Sequence, residues 1–203
     1  MQDLLEGYQA FRRTTWPSHR ALFEALAQRG QKPRALVIAC SDSRVDPTMI
    51  FNAGPGELFV IRNVANLVPP YAPDRPTQGT SAALEFAVRG LEVPAIVVLG
   101  HGMCGGVKAL LQGAPAGVSD FVPAWMQLAQ EARRRALECV PVPAEAQAAC
   151  EQEVVKLSLR NLMTFPWVAE RVAARRLRLD GAVFDIRTGL LLLLGEDGRF
   201  RGA

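Results

Sequence analysis

Residues 35–44 read Ala-Leu-Val-Ile-Ala-Cys-Ser-Asp-Ser-Arg, and residues 94–106 read Pro-Ala-Ile-Val-Val-Leu-Gly-His-Gly-Met-Cys-Gly-Gly. Each begins as a short apolar run with the length of a buried strand and ends abruptly in chemistry-bearing side chains. Further runs of this kind lie at 58–61, 182–186 and 190–194. Runs apolar on both faces suit a parallel sheet covered by helices. The last two are separated by a short turn at Thr188-Gly189, so they form an antiparallel edge. Between the strands, apolar residues recur at helical spacing over 80–89, 107–111, 118–137, 144–163 and 167–177. Residues 4–29 form a helical N-terminal arm, read as two pieces broken at Trp16-Pro17 and stopped by Gly30. The expected fold is α/β, a mostly parallel sheet flanked by helices. Residues 1–203 form a single domain, with 1–30 as the arm.

Composition narrows the function. Hydrophobic residues at 49% and charged residues at 21% exclude a disordered or low-complexity chain. A net charge of +3 does not point to nucleic acid. The triplet Arg133-Arg134-Arg135 and the pair Arg175-Arg176 have no interleaved aromatics and read as solvated faces. The longest apolar run, 190–194, is far short of the ~20 residues a membrane span needs. Residues 1–13 carry Asp3, Glu6, Arg12 and Arg13 and lack an export-signal core, so a cytoplasmic location is expected. Four Cys are too few for a disulfide scaffold of this length, and the two His must serve any imidazole chemistry.

At the end of the first strand, Cys40, Asp42 and Arg44 share one face while the chain stays extended. At the end of the third, His101 and Cys104 can turn toward one point across glycines that permit a tight loop. Two thiolates and one imidazole suit Zn²⁺ in a tetrahedral site, and three protein ligands leave the fourth position open, as in catalytic zinc sites. A competing motif overlaps the second cluster. Gly100, Gly102 and Gly105 spell G-x-G-x-x-G, with Asp120 as the acid a nucleotide-binding module would need.

The motifs Cys-Ser-Asp-Ser-Arg-Val at 40–45, Pro-Gly-Glu-Leu-Phe-Val-Ile-Arg-Asn-Val-Ala-Asn at 55–66 and His-Gly-Met-Cys-Gly-Gly at 101–106 resemble those of the β-class carbonic anhydrases. The resemblance is close over roughly residues 30–112. It implies reversible hydration of CO₂ to bicarbonate by zinc-hydroxide attack, with one zinc on Cys40, His101 and Cys104 and an Asp42–Arg44 dyad. It also implies a substrate site drawn from Gln31, Phe59, Val64, Phe86 (where the plant-like branch has tyrosine) and the Gly105 amide. The family implies a homodimer or homotetramer with sites at the subunit interface. A relative hydrolysing carbonyl sulfide or carbon disulfide would carry the same zinc site. His19 reads as a surface residue, and Cys139 and Cys150 as buried thiols.

One branch of the family holds a regulatory bicarbonate with a tryptophan and a glycine just before the first cysteine, where this chain has Val37 and Ala39. The resemblance therefore implies no such pocket. Titrating activity with bicarbonate at constant pH and ionic strength is expected to give non-cooperative inhibition; steep, cooperative inhibition would contradict this.

Overall fold

The computed structural model describes residues 1–74, 78–143 and 145–203. Six strands form one mixed sheet in the order β2-β1-β3-β4-β5-β6. They are β1 (Ala35–Cys40), β2 (Leu58–Asn63), β3 (Ala95–His101), β4 (Arg178–Phe184), β5 (Leu191–Leu194) and β6 (Phe200–Gly202). The first four in spatial order are parallel, and β5 and β6 add an antiparallel edge. The fold is thus the α/β sheet the apolar runs imply. After β1 the chain moves to one side, into β2; it then returns past β1 to place β3 on the other side. The crevice between the ends of β1 and β3 is therefore the topological switch point, where open α/β sheets bind ligands.

Strand β1 shows why the centre of the sheet is rigid. Leu36 and Ile38 pack into a cluster with Ile96, Val98, Val155 and Phe165 on one face. Val37 and Ala39 pack with Leu99 and Ala182 on the other. Each buried Val, Leu, Ile or Phe among them contributes about 1.5–3 kcal/mol relative to exposure, so burial on both faces fixes β1 far more strongly than any single loop hydrogen bond. Helix α8 (Gln147–Leu162) lies against β3 and β4. A Cβ at Gly100 would fall 2.7 Å from Val155 Cγ2, and one at Gly181 would fall 2.9 Å from Leu159 Cδ1. Both glycines are where they are so that α8 can approach the sheet.

The remaining helices are α1 (Gln2–Ala10), α2 (Trp16–Arg29), α3 (Pro47–Ile50), α4 (Gly79–Glu85), α5 (Gly105–Gln112), α6 (Val122–Met126), α7 (Gln130–Cys139) and α9 (Pro166–Ala173). The arm differs from expectation. A π-helical turn, Phe11–Thr15, joins α1 to α2, and Pro17 sits in the first turn of α2, where its missing N–H costs nothing. Trp16-Pro17 thus starts a helix without breaking the arm. None of the arm's helical residues is buried, and Leu4, Leu5 and Tyr8 are exposed. The region 118–137 is not one helix: residues 118–121 are irregular, and α6, a 3₁₀ turn and α7 follow. Helix α8 begins at Gln147; Ala144, the expected start, lies outside the described residues. Cys150 is buried as expected, but Cys139 is exposed, because it ends α7 beyond the face that carries Ala132 and Ala136 inward. His19 lies half-exposed in α2 with Nδ1 against the Thr15 carbonyl. Among the described residues no helix is long and apolar enough to cross a membrane.

Candidate metal centre and active site

Parallel pairing of β1 with β3, Ala39 beside Leu99, brings the two strand ends together. Cys40 is the last residue of β1, and His101 is the last of β3. Cys104 follows three residues later, at the start of α5. All three are buried, and their ligand atoms lie within 4.8 Å of one another. The Cys40 and Cys104 sulfurs are 3.9 Å apart. Two zinc–sulfur bonds of about 2.3 Å at the tetrahedral angle would separate two sulfurs by about 3.8 Å.

The imidazole is prepared in the same way. His101 Nδ1 is 2.9 Å from the Gly102 carbonyl, so Nδ1 carries the proton and Nε2 the lone pair. That Nε2 is buried without a hydrogen-bond partner, which is costly unless a ligand takes it. An orphaned lone pair beside two sulfurs at metal spacing fits a zinc ion. Hydrogen bonding from Cys104 pulls the Cys40 thiol below its ordinary range against the opposing effect of burial, and the same contact together with burial pushes Cys104 up. Burial pushes His101 down, but the neighbouring Cys40 sulfur, the Gly102 carbonyl and the Asp42 carboxylate together outweigh it and leave the imidazole above its ordinary value. The raised Cys104 and His101 describe a pocket short of positive charge.

Asp42 stands at the mouth. Its Oδ2 lies 3.9 Å from His101 Nε2. Arg44 grips the carboxylate with three bonds: its backbone N–H and Nε donate to Oδ1 at 3.0 and 2.9 Å, and Nη2 donates to Oδ2 at 2.7 Å. These bonds, led by the guanidinium, hold Asp42 well below the usual carboxylate range, against the opposing effect of burial. Nη2 also donates to the Met103 carbonyl at 3.2 Å, tying the first loop to the second.

The other expected site residues separate into two groups. Val64 lies beside the centre: a Cβ at Gly106 would fall 2.7 Å from Val64 Cγ1. The Gly105 amide belongs to the first turn of α5, whose N–H groups have no partner within the helix. Gln31, Phe59 and Phe86 are elsewhere. Asn63 pairs with Cys40, but Phe59 pairs with Leu36, four residues or about 13 Å back along the strand. Phe86 stacks on Phe59 with ring centroids 5.9 Å apart, and Gln31 is exposed ahead of β1. Within one chain these three do not meet the metal centre.

Three residues outside the expected set organise the loops. Arg62 donates to the carbonyls of Cys40, Asp42 and Val45 at 3.0, 2.6 and 2.9 Å. Glu151 and Gln147, one turn apart on α8, bond to Cys104. Two of the three stand out locally, Arg62 as a charge ending an apolar strand and Glu151 among the buried apolar positions of α8, but the backbone groups they hold are not encoded in local spacing. The glycine-loop reading does not survive. Gly100 and His101 lie inside β3, Gly100 is dictated by Val155, and Asp120 sits in an exposed irregular segment with no strand before it.

A family model described as carbonic anhydrase matches residues 35–191. A carbonic anhydrase of Pseudomonas aeruginosa is 41% identical over 203 residues, covering 98% of this chain and 90% of the relative. The solved structure of the β-carbonic anhydrase CcaA superimposes with a TM-score of 0.92 at 37% identity, covering 100% of this chain and 92% of that one. One of two tetrameric β-carbonic anhydrases from Sordaria macrospora does so with a TM-score of 0.82 at 31% identity, covering 100% and 98%.

Replacing Cys104 with serine removes a soft ligand from a three-ligand set. Metal analysis is expected to give about one zinc per parent chain and far less for the variant after dialysis. Because zinc competes with protons for His101 and both thiols, the parent's affinity should fall as the pH is lowered. Equal zinc retention by the serine variant would refute the ligand assignment.

Proposed function

The chain belongs to the β-class of the carbonic anhydrase family, and from that premise we propose how its own residues divide the work. The enzyme hydrates CO₂ reversibly to bicarbonate and a proton, using zinc. The observation that carries the residue assignment is the buried triad of Cys40, Cys104 and an unpartnered His101 Nε2, with the Arg44-gripped Asp42 at its mouth.

Cys40, His101 and Cys104 would hold the zinc, which would supply a strongly acidified water near neutral pH. The two thiolates place negative charge beside it and shift that acidity toward the alkaline side, so activity rises with pH. Asp42, kept ionised by Arg44, can only accept a hydrogen bond. It therefore takes the proton-bearing side of the attacking water and aims the lone pair at CO₂. Arg44 occupies both carboxylate oxygens and so restrains Asp42 from turning onto the metal. Val64 offers apolar surface to an apolar substrate, and the Gly105 amide at the start of α5 receives charge developing on bicarbonate oxygen.

Gln31, Phe59 and Phe86 act on the site of a second copy. They are remote from their own chain's metal centre, Phe86 is 54% exposed, and the arm of α1 and α2 buries none of its helical residues. An exposed Phe86 stacked on a half-buried Phe59, and an uncovered amphipathic arm, are the surfaces a partner subunit covers. The working unit is accordingly a homodimer, alone or paired into a tetramer. The chain acts in the cytoplasm as one domain. Four free cysteines fit a reducing compartment.

Asp42→Ala is expected to keep its zinc while CO₂ hydration falls by about 10²–10⁴-fold, the range for a positioned proton acceptor; loss of zinc or of folding would make Asp42 structural instead. Sedimentation should give two or four chains per particle, and a fully active monomer would exclude the shared pocket.

A further inference from the structure

Cys40 and His101 are held by the sheet: Cys40 is paired with Asn63, and His101 with Phe184. Cys104 has no such support. It lies outside every strand, after Met103, whose φ of 58° is in the left-handed region. A non-glycine residue held there is strained and persists only where the surroundings impose it. Cys104 then starts α5 without a side-chain cap.

The surroundings that impose it come from α8. Glu151 is 5% exposed. Its Oε1 accepts the Cys104 N–H at 2.9 Å and the Gln147 Nε2–H at 3.0 Å. Gln147 Nε2 also donates to the Cys104 carbonyl at 3.3 Å. Residues four apart on a helix share a face, so one turn of α8 holds both peptide groups of Cys104. Fixing both fixes the Cα–Cβ direction and leaves only rotation about χ1 to place the sulfur. A buried carboxylate is costly to maintain, and the core around it, with Cys150, Val154 and Leu157, is otherwise apolar.

We propose that Glu151 is a positioning residue for the metal ligand Cys104, with Gln147 aiming its acceptor oxygen, so that α8 sets the third corner of the metal site. This rests on the zinc reading of the site. The role requires an acceptor oxygen at Oε1 and does not require a carboxylate as such, which separates Glu151→Gln from Glu151→Met.

The test uses full-length protein and competition for zinc against a chelator of known affinity, with melting of the metal-free protein and circular dichroism alongside. Glu151→Met is expected to bind zinc about 10–100-fold more weakly, the usual cost of losing a partner behind a ligand, while the metal-free protein melts close to the parent. Glu151→Gln is expected to keep most of the parent's affinity. Should Glu151→Met fail to fold, Gln147→Leu decides, with an expected loss of about tenfold, the low end of that range. Parent-like zinc binding in Glu151→Met, or in Gln147→Leu where that variant decides, overturns the proposal while leaving the metal site intact. A loss in Glu151→Gln as large as in Glu151→Met overturns it in favour of charge. Failure of the parent to bind zinc overturns the metal-site reading and this proposal with it.

Discussion

Strands β1 and β3 are parallel neighbours in the middle of the sheet, and the chain leaves their ends in opposite directions. This single pairing places Cys40 against His101 and, one short loop later, Cys104 against both. The ladder supplies two corners of the site at no extra cost, since burial on both faces of the sheet already fixes the strands. Only the residues beyond the ladder need their own supports. Arg62 holds the loop of Asp42 through three carbonyls, and α8 holds Cys104.

Charge follows from the same arrangement. Two thiols and an imidazole in a buried pocket are a poor set without a cation and a good one with it. The Asp42 carboxylate adds negative charge at the rim, and Arg44 balances it where solvent still reaches. Both loops are then tied together through the bond from Arg44 to the Met103 carbonyl. The polar machinery thus lies at one end of the sheet, with the stacked pair Phe59 and Phe86 back along β2. Separation of this kind inside one chain is what the proposed homodimer would resolve.

Much of this was legible in the residues. Central strands buried on both faces announce themselves as continuous apolar runs, and all three sulfur and imidazole ligands stand directly after such runs. Edge elements were less visible. Strand β4 starts at Arg178, ahead of the apolar run, because its first half is only partly buried and carries the charged Arg178–Asp180 pair. Strand β6 is three residues with one apolar side chain and gives no pattern at all. The arm misled because proline signals a break only when it falls inside a helix, and Pro17 falls in a first turn. Glu151 and Arg62 escaped notice because their partners are backbone groups far away in sequence, which no local spacing encodes. Proximity between Phe59 and the metal centre was likewise unreadable, since it depends on register: one strand carries both the Phe59 and Asn63 positions, at opposite ends.

The most direct test of the whole account is stopped-flow CO₂ hydration across pH by protein loaded with one zinc per chain and by the same protein stripped of metal. Catalysis that appears only with zinc, returns on reloading and strengthens toward alkaline pH is the predicted result. A zinc-loaded protein that hydrates CO₂ no faster than buffer, or a stripped protein that keeps its rate, would contradict it.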